Sequence, residues 1–178
     1  MKIKESTFRA LRLFAVALLV IYALFGYQYK MTYNSGSSMY PTLSDGEWVF
    51  VERRERLPED WTPGRYDIVI ITDNGTGESL IKRVIGLPGD TIEVKEGSVF
   101  INEEKIRDPY GKGRMFFILT DQSGKDLHYW GTTDKVIQFV NQAQITIDEG
   151  FVWVVGDNRP VSWFGELPIK NIKGLVIF

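Results

Sequence analysis

Fifteen consecutive positions, Leu13 to Tyr27 (LFAVALLVIYALFGY), carry no charge and are almost wholly apolar, and no charge falls between Arg12 and Lys30. The run is apolar on every side rather than striped, which suits lipid better than a protein surface. Roughly 20 apolar residues cross a bilayer core. Ala10 and Leu11 on one side, and Gln28 and Tyr29 on the other, lengthen the run, while Arg12 and Lys30 can snorkel. The pattern predicts a membrane anchor over residues 13–29. A cleaved signal peptide would need a small-x-small site, and the sequence that follows (GYQYKMTY) is bulky. A buried core helix is the other competing reading. Lys2, Lys4, Arg9 and Arg12 precede the run against one acid, Glu5, whereas only Lys30 follows it closely. The excess of cations predicts residues 1–12 in the cytoplasm and everything after the anchor outside.

Beyond Trp48 the pattern changes to short strands. EWVFVERR alternates, and RYDIVIITD holds a continuous apolar run, as a strand buried on both faces would. ESLIKRVIGLPGDTIEV reads as two strands around a Leu-Pro-Gly-Asp turn, with Asp67 and Asp90 serving turns. SVFINEEKI turns near Asn102-Glu103, FVWVVGD ends in a Gly-Asp-Asn turn, and LVIF closes the chain. Residues 108–150 are more polar and less regular, as an inserted subdomain would be. The expected fold is mostly β: a transmembrane helix, then a twisted antiparallel β-sheet body over 30–178, barrel-like, with a small β insertion.

Composition narrows the chemistry. With 178 residues, one domain is favoured, and 44% hydrophobic residues suffice for a core. A net charge of -2 gives no general affinity for nucleic acid. There is no cysteine, so thiol nucleophiles, disulfides and thiolate metal sites are excluded. The single histidine, His128, excludes a multi-histidine metal centre, and no metal or cofactor is expected.

Period-two alternation in SLIKRVIGL sends Lys82 to one face and Arg83 to the other, both otherwise apolar. Such a pair commonly snorkels from a strand end. If Lys82 is instead held in apolar surroundings, desolvation disfavours its charged form, and a neutral amine near pH 7 is a general base. It could activate a serine without histidine. The polar stretch from Asn34 to Glu47 (NSGSSMYPTLSDGE) supplies serines, but its composition is that of any loop.

Four segments follow the anchor in order: Ser-Met-x-Pro-Thr-Leu at 38–43, Tyr-Asp-Ile-Val at 66–69, Lys-Arg-Val-Ile-Gly-Leu-Pro-Gly-Asp at 82–90 and Gly-Asp-Asn-Arg at 156–159. Together they resemble the type I signal peptidases, membrane-bound serine proteases with a Ser-Lys dyad. The resemblance implies Ser38 as nucleophile and Lys82 as general base. It also implies an oxyanion and substrate-binding region at Gly36, Ser37 and Met39, and Ser162 as the serine that orients the lysine. Glycine at position 36 resembles the Gram-positive type, which lacks a serine hydroxyl there. Losing such a donor can cost about 3 kcal/mol of transition-state stabilisation where nothing compensates.

The chain departs from the family pattern Ser-x-Asp-Ser-Arg by reading Ser162-Trp163-Phe164-Gly165-Glu166. Another polar pair, or aromatic packing, would have to support the lysine. Trp163 and Phe164 either pack in the core or dip into the membrane interface. The implied partners are exported preproteins with signal peptides, and membrane lipid, with no nucleic acid. The implied location is the cell membrane, single-pass, with the catalytic domain outside. Two other readings compete: a catalytically impaired relative that assembles or binds surface proteins, and a relative of the self-cleaving repressor domains. Nothing in the sequence ties His128 to Ser38 in a Ser-His-Asp triad.

Overall fold

Glu5–Gln28 forms a single helix, α1, in the computed structural model, which describes residues 5–72, 77–120, 125, 135 and 137–177. At 1.5 Å per residue its 24 residues run about 36 Å, enough for a bilayer core. None of the apolar stretch Thr7–Gln28 is buried against the body, which sets aside the core-helix reading.

The chain passes from α1 directly into β1 (Tyr29–Tyr33), which pairs antiparallel with β2 (Trp48–Arg53). The junction is clamped. The Arg56 guanidinium stacks 3.0 Å from the centre of the Tyr27 ring, and its Nε donates to the Tyr27 carbonyl at 3.2 Å. The Gln28 side-chain amide donates to Glu52. A cation thus sits at the negative end of the helix and satisfies a carbonyl that the last turn leaves open.

Eleven more strands follow among the described residues. They are β3 (Ile68–Thr72), β4 (Ser79–Gly86), β5 (Thr91–Lys95), β6 (Ser98–Ile101) and β7 (Glu104–Lys105). Then come β8 (Phe116–Ile118), β9 (Ile137–Phe139) and β10 (Gln142–Thr146). The last are β11 (Phe151–Val155), β12 (Phe164–Pro168) and β13 (Ile172–Ile177). The main sheet has the order β1-β2-β13-β3-β4-β11-β12, and every adjacent pair is antiparallel. It is open, with β1 and β12 as edges, so the mostly-β expectation stands without a closed barrel.

The unbroken apolar run of β3 has a direct cause. Ile68 and Ile70 pack with Met39, Leu43, Val51 and Ile81, while Val69 and Ile71 pack with Val84, Val152, Val154 and Ile172. A strand with a core on each face cannot alternate polar residues. A second sheet, β10-β5-β6-β7, meets the main one through Ile85, Ile92, Val94, Trp153 and Val155. Asn102 and Glu103 both have positive φ, 50° and 70°, as a tight hairpin between β6 and β7 demands. Within residues 108–150, β8 pairs with β9, and β10 pairs back onto β5.

Candidate active site

The stretch from Asn34 to Glu47 is a closed loop. Asn34 N–H donates to the Glu47 carbonyl, Gly46 N–H donates to the Asn34 carbonyl, and the buried Asn34 amide donates to the carbonyls of Gly36 and Ser44. Fully buried Met39 and Leu43 anchor the loop in the core beside β3. Ser38, next to Met39, is therefore held from both sides and remains half-exposed.

Lys82 Nζ lies 2.9 Å from Ser38 Oγ. The lysine is only 3% exposed, and Nζ also donates to the Ile81 carbonyl at 3.2 Å. Burial lowers its pKa from 10.5 to about 8. A neutral amine so placed can accept the Ser38 proton through its lone pair.

Gly156 to Arg159 fix this contact from the far end of β11. A Cβ at Gly156 would lie 2.2 Å from the Ser38 carbonyl oxygen and 2.5 Å from Ser162 Oγ, so only glycine lets the serine segment approach. Asn158 donates its backbone N–H to the Ser38 carbonyl at 2.9 Å and its side-chain amide to the Ser37 carbonyl at 3.1 Å. Fully buried Asp157 accepts two bonds from Arg83, 2.8 Å from Nε and 2.6 Å from Nη2, and a third from the Thr42 hydroxyl. Arg83 Nη1 donates to the Tyr66 carbonyl at 2.7 Å, and the guanidinium stacks 3.7 Å from the Tyr110 ring centre. Buried Arg159 pairs with Asp108.

The remaining sequence candidates are distributed around the pair. Gly36 is exposed with φ 89°, and its N–H donates to Asp45 at 2.7 Å. Ser37 is exposed, and Met39 points into the core. The Ser162 hydroxyl accepts the Gly156 N–H at 2.6 Å and donates to the Trp163 carbonyl at 2.7 Å, so its bonds go to backbone rather than to Lys82. Trp163 is half-exposed, whereas the Phe164 ring packs 5.7 Å from that of Trp153. His128 lies outside the described residues.

In the sequence Arg83 reads as a strand charge, Asp157 reads as a turn and scaffold residue, and Gly156 shows no role. The available signal was two cations on opposite faces of one apolar strand, which require a buried partner for each.

The sequence profile of the family described as signal peptidase, peptidase S26, matches residues 7–178. The chain belongs to this family. A signal peptidase I of Bacillus amyloliquefaciens is 40% identical over 162 residues, covering 91% of this chain and 72% of that protein. Signal peptidase I U of Bacillus subtilis is 32% identical over 160 residues, covering 89% of this chain and 74% of that protein. The signal peptidase I of Streptococcus pneumoniae serotype 4 is 37% identical over 160 residues, covering 78% of this chain and 76% of that protein. Membership in the signal peptidases makes the chain a hydrolase of the serine endopeptidase class. Gly156→Ala is expected to lower peptide hydrolysis at least a hundredfold, since a displacement of about 1 Å has roughly that effect. A circular dichroism spectrum like that of wild type would show that the sheet survives. Turnover within a few-fold of wild type would refute the steric account.

Proposed function

We propose that the chain is anchored by α1 and removes signal peptides from exported preproteins with a Ser38–Lys82 dyad. The observation that carries this is the 2.9 Å separation of the Ser38 hydroxyl from the amine of Lys82, a residue only 3% exposed. The neutral amine takes the Ser38 proton as Oγ attacks the scissile carbonyl. The oxyanion that forms is met by the Ser38 N–H, which bonds no other group among the described residues. Collapse of the tetrahedral species forms the ester and expels the new amino terminus, which receives the proton from the Lys82 ammonium. Lys82 then takes a proton from a water that attacks the ester, and returns it to Ser38 Oγ as the acyl group leaves as the acid. Exposed Gly36 and Ser37 border the site where the peptide lies extended, small pockets read its small residues, and buried Met39 anchors the segment from the core side.

Arg83 and Asp157 supply the buried polar pair that the segment from Ser162 to Glu166 lacks. Arg83 follows Lys82 in β4, so tying down its guanidinium fixes the backbone that carries the amine. The body lies outside the membrane and residues 1–12 in the cytoplasm. Exposed Trp163 is suited to the membrane interface, and packed Phe164 is not. Confinement of enzyme and substrate to one surface raises their encounter rate.

The test is cleavage by the full chain, in lipid, of a preprotein whose signal ends in Ala-x-Ala, with the amino terminus of the product sequenced. One cut after the second Ala is expected. Binding of the preprotein with no cut would replace the enzyme by a binding partner, and cutting elsewhere would remove the substrate assignment.

A further inference from the structure

The foot of α1 carries a feature that the dyad does not use. An open groove of about 400 Å³ runs between the last two turns of the helix and the first strand pair. Its walls are apolar where they meet the helix, with Tyr22, Phe25, Gly26, Met31 and Phe50. Two cations, Lys30 and Arg53, also line it. Both cations are half-buried, and no carboxylate of the described residues pairs with either. Arg53 spends only its Nε, on the Tyr29 carbonyl at 3.4 Å. The nearby acid, Glu52, is occupied by Gln28. Across β1 and β2, Met31 faces Phe50 in the groove wall and Tyr33 faces Trp48, and all four are exposed. A Cβ on Gly26 would meet nothing within 4 Å, so the groove is open there.

We propose that this groove binds an anionic phospholipid, with an acyl chain along Phe25, Gly26 and Phe50 and the phosphate between Lys30 and Arg53. Two features select a lipid. The groove is continuous with the apolar surface of a helix long enough to cross a membrane, and it lies at the C-terminal end of that helix. Its charge is complementary to a phosphate and not to the neutral, small-residue segment at the end of a signal peptide. Only Lys30 follows the helix in sequence, yet the return of β2 brings Arg53 to the same place, so the fold builds a two-cation site. The proposal rests on α1 as a span and is independent of the dyad.

The full chain is placed in nanodiscs of equal parts phosphatidylcholine and phosphatidylglycerol, and the lipids it retains are counted by native mass spectrometry. One cation at an anionic surface contributes about fivefold to affinity. Wild type should therefore retain phosphatidylglycerol over phosphatidylcholine by roughly twentyfold, and K30Q/R53Q should bring the ratio near one. Gly26→Leu, which fills the groove and leaves the charge unchanged, should also lose most of the retained lipid. No preference in wild type, or an unchanged ratio in both variants, overturns the proposal. Loss in the charge variant alone shows diffuse attraction and overturns the groove. A raised KM for preprotein in Gly26→Leu without any lipid preference gives the groove to the signal peptide instead. Failure of the chain to enter discs of phosphatidylcholine alone removes the anchor and the site together, which separates that failure from the others.

Discussion

Lys82→Met is expected to lower hydrolysis by about four orders of magnitude and, at neutral pH, to raise the melting temperature. The two effects share one origin. Methionine nearly matches the aliphatic stem and removes the amine. Without the amine nothing takes the Ser38 proton. The same amine is a burden to the fold because it is charged in the unfolded chain and desolvated in the native one. A pKa of about 8 in place of 10.5 corresponds to about 3 kcal/mol against the charged form. The sign follows from proton counts. Between pH 8 and 10.5 the unfolded chain holds a proton that the folded chain has released, so stability rises with pH in that window. Below pH 8 both states are protonated and the full penalty applies. The stabilisation by Lys82→Met should therefore be largest at pH 7 and fade as pH approaches 10.5.

Activity follows the complementary curve. Log kcat/KM should climb by about one unit per pH unit below pH 8 and level off above it, as the neutral amine accumulates. Ser38→Ala should lose as much activity without the gain in stability. The double variant should be no worse than either single one, because the two groups act as a unit. A flat profile from acid to alkaline pH, or a Lys82→Met variant with more than a few per cent of wild-type turnover, would end the dyad reading.

Legibility in the sequence followed distance along the chain. The apolar run of Ile68 to Ile71 announced a strand buried on both faces, because burial is written into each residue in turn. Asn102 and Glu103 announced a hairpin, because positive φ is a local demand. Alternation placed Lys82 and Arg83 on opposite faces of β4. It could not say that both would be buried, nor what each would meet. Arg83 finds its carboxylate 74 residues away, and Asp157 reads locally as a turn residue. Ser162 sits at a position where the family resemblance offers a lysine partner, while its hydroxyl is taken by the Gly156 N–H and the Trp163 carbonyl. Gly156 leaves no local trace of the chain that crosses it. The return of Arg53 and Arg56 to the foot of α1 is likewise a property of the β1–β2 pairing and not of any window of sequence.

Asp157→Ala should be the most destabilising single change near the site. It leaves the Arg83 guanidinium, 3% exposed, with no counter-charge, and removes the acceptor of the Thr42 hydroxyl. Breaking a buried pair from one side costs about 3–5 kcal/mol. For a body of this size that is roughly 10 °C or more in melting temperature. Asp157→Asn keeps the shape and some of the bonds and should fall in between. The decisive comparison is Arg83→Met with Asp157→Leu in one chain. With no charge left buried, apolar packing should regain most of the lost stability, since a buried ion pair and its apolar replacement are often close in free energy. Activity should not return with it. Thr42, four residues beyond Ser38, still lacks its acceptor, and β4 still lacks the guanidinium that ties the strand carrying Lys82 to the Tyr66 carbonyl. Thermal unfolding alongside preprotein cleavage separates the two roles. A double variant that is stable and fully active would reduce the pair to a packing element, and a single Asp157→Ala variant that melts within a degree or two of wild type would show that the charge on Arg83 had found water.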